Sequence, residues 1–393
     1  MIRVDGDVPA TPRGATLDEG APTMMTTTAI STVASQNLTP FAPTSSEAAR
    51  YQAILQAKID DGMGRAANVI ERIHAEQPRD QIVPVRALSF IPGPDADVGV
   101  AMCFGGESLF PSDYALGQIA ARANVPTAYL RELAHGADWQ RELAAEIFTR
   151  HYRHHEAARV LARSVNGQLR GFLSDRYRRL DSRPIVDALA TEAQAAGAVP
   201  IDGTMTETRL ALKIVVPRVL EPIPGEFMVY GGELAHSDYG NGPLGFRQFF
   251  WRVVCLNGMT RENVLREIHL GGRLGDDITY SDRTYRLNTA ASVSALRDVV
   301  RATLTPASIE RMGETLRAAH AKKMTVAQLK AATKNVGKDS QKAIVDAFES
   351  EDVINLPAGE TAWRASNAVS WIARHTKDAE KRLDLERVAG ALT

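Results

Sequence analysis

Residues 159–174 read RVLARSVNGQLRGFLS: two runs of seven residues on either side of Asn166-Gly167. Asn-Gly between such runs is the strongest short-range signal for a β-hairpin, because the tight turn needs positive φ at both central positions. A two-residue loop dictates the pairing: 165 faces 168, 163 faces 170 and 161 faces 172. Arg163 and Arg170 then lie opposite one another, beside Leu161 and Phe172, while Val160 pairs with Leu173 and Ser164 with Leu169 on the other face. Like charges facing across a strand pair are destabilising unless something negative compensates. Either a carboxylate from elsewhere sits between them or the pair awaits an external anion.

Working outward, the centre of the chain is β-rich. Residues 205–216 alternate, with Thr206, Thr208, Leu210, Leu212, Ile214 and Val216 on one side and Glu207, Arg209 and Lys213 on the other. Further strands are expected over 226–236 and, after the turn Gly240-Asn241-Gly242-Pro243, over 246–256; residues 259–268 read as a helix capped by Thr260. Upstream, residues 46–74 carry a helical stripe (Tyr51, Ile54, Leu55, Ile59, Met63), and 82–104 read as two strands around Pro92-Gly93-Pro94-Asp95. Helices follow from Ser112, broken at Asn124, from Pro126, and over 138–152; another spans 182–196. From Leu287 the pattern is helical, with start signals at Thr305-Pro306 and at Thr325 with Gln328. The expectation is an α+β protein: a central, mostly antiparallel sheet with packed helices and a helical C-terminal region. Its parts are a disordered tail over 1–45, rich in Thr, Pro, Ala and Gly, an α+β core over 46–285 and a helical region over 286–393.

Charge is unevenly spread. Between Arg150 and Arg183 nine arginines stand against three acids (Glu156, Asp175, Asp181), a local charge of +6 in a chain whose total is −1. A basic island in an otherwise acidic protein is a footprint for a polyanion. Arg176, Arg178 and Arg179 cluster with Tyr177 just before a helix start, where free N–H groups also favour anions. Residues 246–252 (FRQFFWR) interleave arginines with aromatics, the composition of single-strand stacking platforms as well as of a core strand. On this reading Arg163, Arg170, Arg176, Arg178 and Arg179 hold phosphates, Lys213, Arg247 and Arg252 extend the track, and Phe249 or Trp251 stacks on bases.

Other signals are weak. Residues 118–130 have helix-turn-helix spacing, but the second helix offers mainly Thr127, Tyr129 and Arg131 to DNA. His151, His154, His155 and Glu156 lack zincin spacing, and His236 with Asp238 lacks a third partner. Gly337-Lys338-Asp339 is a fragment of a phosphate loop, and residues 271–275 (GGRLG) miss the dinucleotide fingerprint. No cofactor or metal is expected, and no general base or nucleophile stands out. Cys103 and Cys255 make no disulfide framework and read as reduced thiols. No apolar run reaches the roughly 18 residues of a membrane helix, and Asp5 and Asp7 sit where a signal peptide needs positive charge, so a cytoplasmic protein is expected.

Four stretches together resemble a phage/plasmid-like protein family, catalogued as domain of unknown function 932. They are residues 113–133 (DYALGQIAARANVPTAYLREL), 170–181 (RGFLSDRYRRLD), 252–259 (RVVCLNGM) and 361–375 (TAWRASNAVSWIARH). The resemblance implies a mobile-element setting and no agreed activity, and transfers no catalytic residue. The order strand, strand, strand, helix over residues 205–268 is also similar to the core of Rad52-like annealing proteins, a likeness of order alone. The expected function is therefore a phage- or plasmid-encoded, non-enzymatic nucleic-acid-binding protein, with single-stranded DNA binding or annealing in recombination favoured and homo-oligomers compatible. The alternatives are a protein-binding module that sequesters a host or phage factor, and a metal-dependent enzyme acting on nucleic acid through His154, His155 and Glu156.

Overall fold

The computed structural model describes residues 40–43, 46–155, 159–253, 258–267, 280–350 and 356–393. The expected tail over 1–45 lies almost wholly outside the described residues, as do Cys255, Glu156 and the 271–275 segment. The α+β class holds, but the strands divide between two six-stranded sheets rather than forming one.

The first sheet has the order β1-β5-β6-β4-β3-β2, from β1 (Arg79–Pro84), β2 (Ser89–Pro92), β3 (Val100–Phe104), β4 (Glu107–Pro111), β5 (Arg159–Val165) and β6 (Gln168–Ser174). All pairs are antiparallel except β4 with β6. Helices α2 (Asp113–Arg122), α3 (Thr127–Ala134) and α4 (Asp138–Arg153) bring Leu116, Ile119, Phe148 and Tyr152 into one core with Val160, Ala162 and Phe172. The local signals are where the sequence placed them. The Ser112 hydroxyl accepts from Ala115 N, and Asn124 breaks the chain with φ of 56°. Asn166 and Gly167 turn with φ of 51° and 81°.

The second sheet runs β12-β11-β10-β8-β7, with β9 also on β10, from β7 (Val199–Met205), β8 (Leu210–Val215), β9 (Leu220–Ile223), β10 (Glu226–His236), β11 (Leu244–Arg252) and β12 (Gly258–Glu267). Two expectations are corrected here. The alternating run over 205–216 is the end of β7, a turn and β8. Of residues 259–268, read as a helix, those to 267 belong to strand β12, because pairing with the edge of β11 satisfies their backbone and outweighs local helical preference; residue 268 lies outside the described residues. The strand-strand-strand-helix order compared with annealing proteins is thus absent at these residues.

One face of this sheet (Leu212, Ile214, Tyr230, Leu234, Phe246, Phe250) packs into the main core with α5 (Ser182–Ala195), α6 (Asp282–Thr303) and α7 (Pro306–Ala321). The same core takes in residues of α8 (Val326–Ala332), α9 (Lys338–Glu349), α10 (Ala362–His375) and α11 (Ala379–Ala391). The other face (Val215, Val229, Phe249, Trp251) meets Leu55 and Ile59 of α1 (Ala48–Ala75). The buried stripe of α1 runs Leu55, Ile59, Gly62, Ala66, Val69, Ile73, and Met63 is exposed instead. Small residues let this helix lie almost backbone to backbone on β7. A Cβ at Gly62 would stand 1.6 Å from Ile201 O, and one at Gly203 2.6 Å from Ala66 Cα.

Candidate nucleic-acid interface

The hairpin does not have the register of an uninterrupted two-residue loop. Arg163 pairs with Gly171, Ala162 with Phe172 and Leu161 with Leu173, whereas Ser164 pairs with Leu169. Arg170 is the extra residue of a bulge, so the expected opposition of Arg163 and Arg170 is corrected. The physical reason is Phe172. The one-residue shift turns its ring to the Val160–Ala162 side, where it is buried and meets Tyr152 edge-on at 5.5 Å. Its amide is held by Gln118 Oε1 at 2.7 Å.

Most of the expected phosphate ligands already have internal partners. Arg163 is 1% exposed; its Nε lies 3.1 Å from Asp80 Oδ1, Nη2 pairs with Asp181, and Nη1 donates to Asp238 O at 3.2 Å. Arg170 Nη1 donates to Glu76 at 2.8 Å, Lys213 Nζ to Glu386 at 2.8 Å, Arg247 Nη2 to Glu233 at 2.7 Å and Arg252 Nε to Glu226 at 2.5 Å. Arg178 donates to Asn288 O and Ser292 Oγ, both at 3.1 Å, and Arg179 stacks over the Tyr285 ring at 4.1 Å, 3.6 Å from Asp80. Phe249 and Trp251 are buried and stacked on each other at 3.7 Å, so neither ring is open to a base. The track drawn from sequence is therefore largely a set of ion pairs tying the fold together. Its counter-ions come from far along the chain, and no local pattern announces them.

Arg163 sits in a polar junction between the sheets. Ser182 Oγ donates to Asp238 Oδ2 at 2.8 Å, Tyr177 Oη donates to Ser237 O at 3.2 Å, and Gln118 Nε2 donates to Tyr239 O at 3.0 Å. His236 Nε2 faces two acceptors, Asp238 Oδ1 at 2.9 Å and Leu180 O at 3.0 Å, and so carries a proton. Burial works against the Asp238 carboxylate, but the hydrogen bond and charge of His236, the charge of Arg163 and the Ser182 hydroxyl hold it below its ordinary range. Burial also opposes the Arg163 charge, and Asp80, Asp181 and Asp238 together more than restore it. Here the serine hydroxyl donates to the acid, unlike a nucleophile that donates to its histidine base.

Among the described residues a positive excess remains at the open end of the hairpin, where β5 begins and β6 stops. Arg153 at the end of α4 and Arg176 just past β6 are exposed and form no ion pair among the described residues. Arg159 approaches Asp175 only to 3.7 Å. Arg122, half-buried at the end of α2, has an Nε with no hydrogen-bond partner; burial lowers its basicity, against the pull of Tyr152 and Asp175. Arg122, Arg159 and Arg176 thus lie near Asp175, and Arg153 ends the helix that leads into β5. Arg159 and Asp175 face each other across the open end of the hairpin, and His155 Nε2, bonded to Arg122 O at 2.8 Å, ties the α4 exit to α2. Such a cluster can hold phosphate oxygens through charge-assisted hydrogen bonds. Arg122 was missed in the sequence because it ends an apolar helical stretch and looks like a solvated side chain.

Among the described residues no group of three or more His, Cys, Asp or Glu could hold an ion, and His155 stacks on Tyr152. Arg131, the one basic group of the expected recognition helix, donates to Asp113 O at 3.0 Å. No helix among the described residues is long and apolar enough to cross a membrane. No protein-family model, curated protein or solved structure matches the chain, so the likeness to the phage/plasmid family rests on the quoted stretches alone.

Proposed function

We propose that the chain is a non-enzymatic nucleic-acid-binding protein that grips a single-stranded backbone at the open end of the β5–β6 hairpin. The observation that supports this reading is what pairing leaves at that end: Arg153 and Arg176, exposed and without an ion pair among the described residues, and Arg122, whose Nε has no hydrogen-bond partner. Single strands are preferred because Arg131, the basic group of the helix spaced to enter a duplex groove, is committed to Asp113 O. Binding to a labelled single-stranded oligonucleotide, followed by anisotropy across a salt series, tests it. Engagement of three or four phosphates gives a slope of log affinity against log salt of about −2 to −3. The double variant Arg153→Ala with Arg176→Ala removes no ion pair, so it folds as the parent and flattens that slope by roughly one or more. A slope near zero, or unchanged affinity in the double variant, refutes the assignment.

A second reading, a protein-binding module, draws on Trp139 and Tyr129, 63% and 49% exposed on α4 and α3. Large exposed aromatics of this kind anchor protein interfaces. Under it the same oligonucleotide shows no salt-dependent affinity, and Trp139→Ala weakens capture of the partner.

A further inference from the structure

We propose that the cavity of about 380 Å³ between β11, β12 and α11 is a separate site for a phosphate monoester of nucleotide size. The register of the second sheet creates it. Ala211, Ala235 and Gly245 form one cross-strand row on β8, β10 and β11, and Arg266 of β12 ends that row. Three small residues leave the sheet surface bare: a Cβ at Gly245 would meet nothing nearer than Leu265 O at 3.6 Å.

Around this bare floor the lining is basic. Arg266 is exposed and forms no ion pair among the described residues. Arg247 enters from the next row, tethered by Glu233, and Arg209 is fixed at the rim by Asn241 and Glu380. Arg387 of α11 closes the wall and reaches Asp384 at 3.4 Å. Four guanidinium groups therefore line the cavity beside one carboxylate, Asp384, which Arg209 approaches only to 3.8 Å. Both of the Asp384 contacts are long, so an incoming phosphate competes for the same donors with better geometry. Arginine clusters of this kind take phosphate oxygens bidentately. Leu383 and Pro243 add an apolar wall on which a sugar or a ring can rest, and the volume lies within the range of small-molecule pockets.

The site shares no residue with the hairpin end and stands or falls without it. Isothermal titration of the full chain with a nucleoside 5′-monophosphate, the matching nucleoside and inorganic phosphate tests it. The monophosphate is expected to bind, inorganic phosphate to compete with it, and the nucleoside to give no heat. Arg266→Ala should weaken the monophosphate by about tenfold or more. Gly245→Val fills the floor without touching a charge and should abolish binding, whereas Arg176→Ala should leave it unchanged. Equal binding of nucleoside and monophosphate, no binding of either, or wild-type affinity in both Arg266→Ala and a folded Gly245→Val would overturn the proposal.

Discussion

Arg163 shows how a residue's environment can reverse the meaning of its charge. As sequence, it is a cation on a strand opposite another cation. In the fold it is nearly sealed from solvent, with Asp80 and Asp181 against it and a carbonyl from the loop after β10 on Nη1. Removing one partner from a buried ion pair strands the others, so Arg163→Ala is expected to lower stability by about 3–5 kcal/mol. Urea unfolding measures that loss, and an unaltered midpoint would show that water or Arg179 takes over the carboxylates. Oligonucleotide affinity of whatever fraction stays folded should not change. On the proposed reading, the residues that bear on binding are instead those with least to hold them, Arg153 and Arg176. Nothing in their local sequence sets them apart from their paired neighbours, because pairing is a property of distant contacts.

At the scale of elements, what was legible and what was not divides along the range of the deciding interaction. Hairpin limits, turn residues and helix caps rest on contacts within a few residues, and the Asn166-Gly167 turn, the Ser112 cap and the Thr325–Gln328 capping box are where their signals put them. The bulge at Arg170 is different: a phenylalanine finding a pocket on α4 shifts the strand by one residue. Strand β12 is different too, since only the presence of β11 makes extended backbone better than helix. The seam of α1 on β7 likewise hides in glycines that a hydrophobic-stripe reading passes over. Gly62→Ala places a methyl group 1.6 Å from a carbonyl oxygen and must push helix and strand apart. A loss of about 1–3 kcal/mol is expected, read as a lower thermal midpoint with the helix content retained.

For the whole molecule, the fold class was readable and the division into two sheets was not, because both sheets draw on one β-rich stretch of sequence. The junction between them carries a pH dependence whose sign can be worked out. Asp238 titrates below its ordinary value of 3.8 in the folded chain, so its contribution is complete above that value and is lost as pH falls through the lowered one. Asp80 acts the other way: burial raises its pKa against the pull of Arg163 and Arg179, so proton uptake there favours the fold as pH falls. Asp238→Asn should therefore flatten the acid limb of stability against pH, seen as a urea midpoint that varies less below about pH 4 than in the parent. An unaltered limb would place the acid sensitivity elsewhere.

The ammonium of Lys213 rests 4.9 Å above the indole of Trp251 while Glu386 of the last helix holds it there. That arrangement makes the indole an optical reporter: any event that lifts the C-terminal helix from the sheet frees the lysine and alters the polarity above the ring. Emission from Trp251, isolated by replacing the three other tryptophans with phenylalanine, would then register detachment of that helix separately from global unfolding.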